Sequence, residues 1–202
     1  MLRCSDRQVQ VTSPMHPSRA VREIARALPP GSVVVDEAVM LSSYVENIME
    51  FSEPGSYFST IACLGWGLPA SLGVALATAK RPIVAIVGDG SALFGLQALW
   101  TATKYQIPII MVILNNHSYA AVKFGFANHS YITSREPINL GCDLGDVDFP
   151  KIACAFGIDG QRIEEPTEIG PALKKAIAAG KPALFDLIVD PNDVGLGLPR
   201  LT

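Results

Sequence analysis

Runs of positive charge are missing from this chain. No basic stretch exceeds Lys174-Lys175, and 16 Lys and Arg stand against 19 Asp and Glu, a formal net charge of −3. That balance argues against nucleic acid or an anionic membrane as the main partner, since both recruit clustered cations. Long apolar runs are absent too: none approaches eighteen residues, so no stretch reads as a membrane span. The polar start, Met1 to Pro17, contains Arg3, Asp6 and Arg7 and lacks the apolar segment of a signal peptide. Cysteine is scarce. Cys4, Cys63, Cys142 and Cys154 have none of the short spacings of a zinc knuckle or a redox CxxC pair. A chain with this much apolar sequence needs no disulfide staples, so reduced thiols and a cytoplasmic setting are expected. There are three histidines and no HExxH pair, and His16 and His129 are expected at the surface.

What is present is core. Apolar residues make up 49% of the 202 and charged residues 17%, the balance of one substantial globular domain. Strands and helices alternate along it. Helical periodicity runs from Pro17 to Leu28, followed by a β-branched strand, Ser32–Asp36. Glu37–Phe51 is weakly helical, and Ser52–Gly55 is a turn. The small-residue stretch Gly65–Ala79 suits a helix pressed against a sheet. A strand Ile83–Val87, a helix from about Ser91 (as cap) to Tyr105, and a strand Pro108–Leu114 follow. Residues 117–147 read as a long functional loop with one short helix near Tyr119–Phe124. Asp148 caps a helix to Phe156, ended by Gly157. A strand near Gly160–Ile163, a helix Thr167–Ala179 and a strand Ala183–Val189 complete the pattern. The fold class is α/β: a three-layer doubly wound, mostly parallel sheet with helices on both faces. The domain spans residues 15–190, with 1–14 as a tail or linker and a loose Gly/Pro-rich tail over 191–202.

The chemistry is concentrated at two strand tips. Gly88-Asp89-Gly90 ends one apolar run, and Asn115-Asn116 ends the next after 24 intervening residues. Alone, Asp-Gly is also an ordinary turn pair. The triplet opens no dinucleotide fingerprint, because the sixth position is Leu93 rather than glycine, and no Gly-Lys-Ser/Thr ending makes it a phosphate loop. Yet a carboxylate and an amide oxygen at neighbouring strand ends suit a hard cation that also holds phosphate oxygens.

With its surroundings, the pair resembles the cofactor signature of thiamine-diphosphate-dependent enzymes. The likeness includes Gly88-Asp89-Gly90-Ser91-Ala92, Ala98-Leu99-Trp100-Thr101-Ala102, Ile107-Pro108 and Asn115-Asn116-His117-Ser118-Tyr119. Upstream, Pro54-Gly55-Ser56-Tyr57 and Leu64-Gly65-Trp66-Gly67-Leu68-Pro69-Ala70 follow the same pattern. Together they look like the C-terminal, diphosphate-binding domain of benzoylformate decarboxylase and acetolactate-synthase-like proteins, over about residues 15–190.

The resemblance implies roles. Asp89, the Asn116 side-chain oxygen and the Ser118 carbonyl would hold Mg²⁺. Gly88, Gly90, Ser91, Asn116, Ser118 and Tyr119 would line the diphosphate, with Gly90 and Ser91 donating to it. Leu64 would lie beneath thiamine diphosphate and bend it, with Ala62 and Cys63 beside it and the carbonyl near Ala62 accepting from the aminopyrimidine. Asn115 supports its neighbour or caps the strand end, with support the favoured reading. His117 faces substrate or solvent; Tyr119, Phe124 and Phe126 line a pocket or pack the loop; Glu37 reaches toward the cofactor or lies at the surface. Trp100 and Tyr105 are read as helix core and helix end.

Two departures stand out. Ala38-Val39-Met40-Leu41 is apolar where relatives often carry hydroxyls near the diphosphate, and Gly125 and Phe126 break the aromatic arrangement that would transfer an aryl substrate. The catalytic glutamate of such enzymes belongs to a pyrimidine-binding domain that this sequence does not contain. The resemblance therefore implies a 2-keto acid decarboxylase or carboligase completed by that domain, on a small 2-keto acid and as a homo-oligomer. The chain is expected to be inactive alone. It is either a piece of a single-chain enzyme or one subunit of a split enzyme of the sulfopyruvate decarboxylase type. The competing reading is a non-catalytic module that binds a nucleotide or a partner.

Overall fold

The computed structural model describes residues 14–60, 63–78, 81–127, 141–195 and 197. Among the described residues, six parallel strands form one sheet: β1 (Val33–Glu37), β2 (Tyr57–Ser59), β3 (Ile83–Gly88), β4 (Ile109–Asn115), β5 (Asp159–Ile163) and β6 (Ala183–Ile188). Their spatial order is β2-β1-β3-β4-β6-β5. The chain winds outward from β1 to β2, returns across β1 to β3, and then builds in the opposite direction. The reversal lies between β1 and β3, where such sheets open a crevice beyond their carboxyl ends.

Strand composition explains why both faces are covered. On β3, Ile83, Ala85 and Val87 pack into one core, while Val84 and Ile86 pack into the other. On β4, Ile109, Met111 and Ile113 alternate in the same way with Ile110, Val112 and Leu114. A run that is apolar at every position can only be satisfied by helices on both sides. On one side lie α1 (Pro17–Ala27), α2 (Ser42–Ile48) and α8 (Pro166–Ala179); on the other lie α3 (Gly67–Ala77), α5 (Ala98–Lys104) and α7 (Phe149–Ala155). The two remaining helices, α4 (Asp89–Leu93) and α6 (Ala120–Ala127), sit at the carboxyl ends of β3 and β4. Fully burying each Val, Ile or Leu contributes about 1.5–3 kcal/mol, so the central strands dominate the stability of this scaffold.

The differences from the expected pattern have local causes. The single helix predicted from Ser91 to Tyr105 is two, broken around Phe94–Gln97, because Gly95 lies against Gly65; a Cβ on Gly95 would come within 2.8 Å of the Gly65 carbonyl oxygen. Ser91 is not a cap: Gly88 occupies that position and Ser91 is inside α4. The strand β2 was not anticipated. It is three residues long with no apolar run, and it is placed by Tyr57, whose hydroxyl donates to buried Asp36 at 2.8 Å. The weakly helical stretch after β1 resolves into a 3-10 turn, Val39–Leu41, leading into α2. Trp100, read as helix core, is instead about half exposed, whereas Tyr105 ends α5 as expected; the Lys104 ammonium lies over both rings.

His16 is not a free surface residue either. Its Nδ1 accepts the Ser18 amide at the start of α1, and its Nε2 lies 2.8 Å from Asp193. His129 falls outside the described residues. Residues 191–195 do not behave as a loose tail. Asp193 and Val194 are buried, and Tyr44 donates to both Asp193 carboxylate oxygens at 2.9 and 3.0 Å.

Candidate functional site

A cleft opens at the carboxyl ends of β1, β3 and β4, beside the sheet's reversal. It is lined by Ala38–Leu41 after β1, Leu64, Gly88–Ser91 at the tip of β3, and Leu114, Asn116 and Ser118–Val122 at the tip of β4 and in α6. Asp193 and Val194 complete it. Of the residues singled out by sequence, Leu64, Gly88, Asp89, Gly90, Ser91, Asn116, Ser118 and Tyr119 all meet here. Cys63 is exposed and is not part of this lining. Ala62 lies outside the described residues, as do residues 128–140.

The tips of β3 and β4 adjoin, with Gly88 opposite Leu114 in register. Asp89 is buried, and one of its oxygens accepts the Gly90 amide at 2.9 Å. Its other oxygen accepts the Ser118 amide at 3.1 Å, and the Asn116 side-chain oxygen accepts that same amide at 3.1 Å. Two oxygens that share one N–H cannot be farther apart than twice that distance. The carboxylate and the amide therefore converge on one point from two strands. Burial pushes the Asp89 carboxyl up to about 6, partly opposed by the amides of Gly90 and Ser118. A buried acid raised in this way favours a nearby cation.

The donor set fits a cation shared with an anionic ligand. Among the described residues, no group of three His, Cys, Asp or Glu could hold a metal unaided. One carboxylate plus neutral oxygens leaves most of an octahedron for water and phosphate, the habit of Mg²⁺. The Ser118 hydroxyl is buried with no hydrogen-bond partner among the described residues, an orphan that bound water or ligand can satisfy.

Side-chain packing sets the shape of the lining. The Tyr119 ring lies on Gly90, where a Cβ would come within 2.5 Å of the ring, so the second glycine of the triplet is needed for close approach. Gly65, at φ +87°, abuts Phe94 and turns Leu64 outward, about half exposed, into the cleft. Glu37 decides where that turn sits. It is buried rather than superficial, and its carboxylate accepts the Gly65 and Gly67 amides, each at 2.6 Å. Asn115 bridges as expected of a support: it donates to Asp186 at 2.9 Å and accepts the His117 amide at 3.0 Å. His117 itself turns away, its Nδ1 donating to the Gly145 carbonyl at 3.1 Å. Phe124 and Phe126 are not among the lining residues.

Comparison with known proteins decides the family. Residues 38–187 match the model of the thiamine pyrophosphate enzyme C-terminal TPP-binding domain. The chain belongs to that family. It is 35% identical over 175 residues to benzoylformate decarboxylase of Pseudomonas aeruginosa, covering 86% of this chain and 32% of that protein. It is 28% identical over 186 residues to a probable acetolactate synthase large subunit of Methanococcus aeolicus, covering 89% and 30%. Its fold superposes on the 4-hydroxybenzoylformate decarboxylase of Rhodococcus jostii with a TM-score of 0.84 at 31% identity, over 94% of this chain and 35% of that one. The chain thus spans about a third of the length of the curated relatives it matches. As a thiamine-pyrophosphate-binding domain, it carries the family's six-stranded parallel architecture. Sequence reasoning missed Glu37's loop-holding role and the closing residues Asp193 and Val194, because neither lies in a motif.

Proposed function

We propose that this chain binds thiamine diphosphate together with Mg²⁺ and forms the diphosphate half of a cytoplasmic enzyme acting on a small 2-keto acid. The observation that carries the reading is the convergence of Asp89 and Asn116 on the single Ser118 amide. Asp89, Asn116 and the Ser118 carbonyl would hold the cation, and Gly90 and Ser91 would meet the diphosphate. When bound, the cofactor supplies an electron sink for the charge left by a departing carboxylate. The chain's own contribution is positional. Leu64 offers an apolar platform, fixed from behind by Glu37, and Ala38–Leu41 with Val194 keeps water from one side of the cleft.

A complete enzyme needs a pyrimidine-binding domain supplied by the same protein or a separate subunit, and a homo-oligomer is proposed to bring the two together. The short span relative to the curated relatives favours this incomplete reading over a self-sufficient one. Decarboxylase and carboligase outcomes are both compatible with relatives named for each.

Titration calorimetry with thiamine diphosphate, with and without Mg²⁺, tests the proposal. Metal-dependent heat is expected from the chain, growing when the pyrimidine domain is present. Binding of equal strength without any divalent cation would remove the basis for the assignment and favour a non-catalytic module. For the complete assembly, release of CO₂ from benzoylformate, pyruvate or sulfopyruvate is expected, and none from any would defeat the decarboxylase branch.

A further inference from the structure

We propose that Arg162, on the outermost strand β5, is a positioning residue for the cation site, acting through Asp186 and Asn115. The inference rests on the metal-binding reading above. It begins from a strained turn. His117 sits at φ +58°, a left-handed conformation that costs an L-residue about 1 kcal/mol or more and persists only where the surroundings hold it. That residue separates Asn116 from Ser118, whose amide both Asp89 and Asn116 accept, so the turn sets whether these groups can face one ion.

A continuous polar chain holds it. The Arg162 guanidinium donates through Nε to Asp186 Oδ2 at 2.9 Å. Asp186, fully buried, accepts Asn115 Nδ2 on its other oxygen at 2.9 Å, and Asn115 Oδ1 accepts the His117 amide at 3.0 Å. The direction of these bonds matters. An ionised carboxylate only accepts, so it draws the NH₂ end of Asn115 toward itself and leaves the oxygen end for His117. Burial raises the Asp186 carboxyl, and the Asn115 amide together with the Arg162 guanidinium opposes that rise, favouring the ionised form. Without Arg162, a protonated Asp186 could donate instead. The Asn115 amide would then be free to flip, and the His117 amide would lose its Asn115 acceptor.

Arg162 also holds the turn from outside. Its NH2 donates to the Val147 carbonyl at 2.9 Å and pairs with Asp146. From this loop Leu144 donates to the His117 carbonyl at 2.9 Å, and the Cys142 carbonyl accepts the Tyr119 amide at 2.9 Å. One cation at the sheet edge thus grips the β4 tip by two routes, neither of which touches the ion site directly.

The test is Mn²⁺ affinity of the full chain in the presence of thiamine diphosphate, read by electron paramagnetic resonance, with amide hydrogen exchange of metal-free protein as a second readout. Arg162→Gln should weaken Mn²⁺ binding about 10- to 100-fold, the range seen for outer partners of metal ligands. It should also speed exchange at the His117 amide. Arg162→Lys, which keeps a charge beside Asp186, should recover part of the loss. Asp146→Ala, which cuts only the solvent-facing pair, should stay within about twofold by the weakness of exposed ion pairs. In the Asn115→Ala background, Arg162→Gln should cost clearly less than in the wild type, because only the Val147 route is then left to lose. Unchanged affinity in Arg162→Gln, or full additivity with Asn115→Ala, overturns the relay. If Arg162→Gln does not fold, Arg162→Lys carries the test, and wild-type affinity together with wild-type His117 exchange overturns it. No Mn²⁺ binding by the wild type refutes the functional reading itself, a failure distinct from variants that bind normally.

Discussion

The cleft has two walls built on opposite plans. The wall at β3 and β4 is polar at its surface: Asp89, Asn116 and Ser118 present oxygens to the space where a ligand sits. The wall formed by Ala38–Leu41 and Val194 is apolar at its surface; Asp36 lies behind it, and Asp193 reaches its edge with both carboxylate oxygens already engaged. Asp36 accepts the Ala38 amide at 2.8 Å and the Ser42 hydroxyl at 2.9 Å. Asp193 clamps the 190–195 segment to His16 and Tyr44. Gly195, at φ +121°, passes so close to Met40 that a Cβ would come within 2.5 Å of its carbonyl oxygen. In one wall charge is spent on the ligand; in the other it fixes the backbone that shapes the space. Changes to the first should therefore alter binding more than folding, and changes to the second should do the reverse.

The largest separation is expected at Asp89. Asp89→Ala removes the carboxylate that the proposed function assigns to the cation and should abolish metal-dependent thiamine diphosphate binding in calorimetry. It leaves the Gly90 amide without its acceptor, while Ser118 keeps Asn116, and it removes an acid whose carboxyl burial already raises, so the urea midpoint should fall less than in Glu37→Ala. Persisting metal-dependent heat would refute the ligand assignment.

Glu37 is the counterpart, and its effect should fall on stability. Glu37→Ala leaves the Gly65 and Gly67 amides without their charged acceptor, and hydrogen bonds to charged groups contribute about 1.5–3 kcal/mol each. A loss of about 3 kcal/mol in chemical denaturation is expected, with faster exchange at both amides. A stability change below about 1 kcal/mol would show that the Leu64 turn holds itself.

These examples show why one wall was legible in the sequence and the other was not. Asp89 and Asn116 sit at the ends of uninterrupted apolar runs, so strand period and position alone put them at a sheet's carboxyl edge. The alternating cores of β3 and β4 follow from the same runs. Glu37 lies in no motif, and its value depends on a loop 28 residues away arriving within 2.6 Å. Asp193 is still farther from Tyr44 in the chain, and Gly/Pro-rich composition disguised a docked segment as a loose one. Strand β2 was hidden for a related reason: a three-residue strand carries too few positions to show a period. Long-range polar partners are invisible to local pattern, whereas apolar periodicity is local.

Acid should part the walls without mutation. Burial raises the Asp89 carboxyl to about 6, so in the metal-free site a proton competes with the cation below that pH. Apparent Mn²⁺ affinity should be flat above about pH 6 and fall by up to tenfold per unit beneath it. Burial alone would raise Asp193 too, but hydrogen bonds from His16, the Gly195 amide and Tyr44 hold it below its ordinary value. A depressed carboxylate contributes stability that is present above its unfolded value and is lost only as pH falls through the lower, folded one. At pH 5 the metal should therefore be weakly held while the 190–195 clamp stays closed, as read by exchange at the Gly195 amide. Clamp opening in step with metal loss would contradict the two-wall division.

The smallest expected effect is a gain. Val39, in the apolar wall, and His117, in the turn behind the polar wall, both lie at positive φ, +57° and +58°. A β-branched residue tolerates that conformation poorly, whereas histidine enters it more readily. Val39→Gly relieves strain of about 1–2 kcal/mol and gives back about 0.5–1 kcal/mol of chain entropy, and its side chain is 39% exposed, so little burial is lost. Val39→Gly should thus stabilise by up to about 1 kcal/mol with metal affinity unchanged. His117→Gly relieves less strain and loosens the turn between Asn116 and Ser118, so it should yield no gain in stability and a weaker ion site. If the two substitutions move stability and metal affinity alike, the strain at both walls serves only the backbone, and the polar turn has no special share in presenting its ligands.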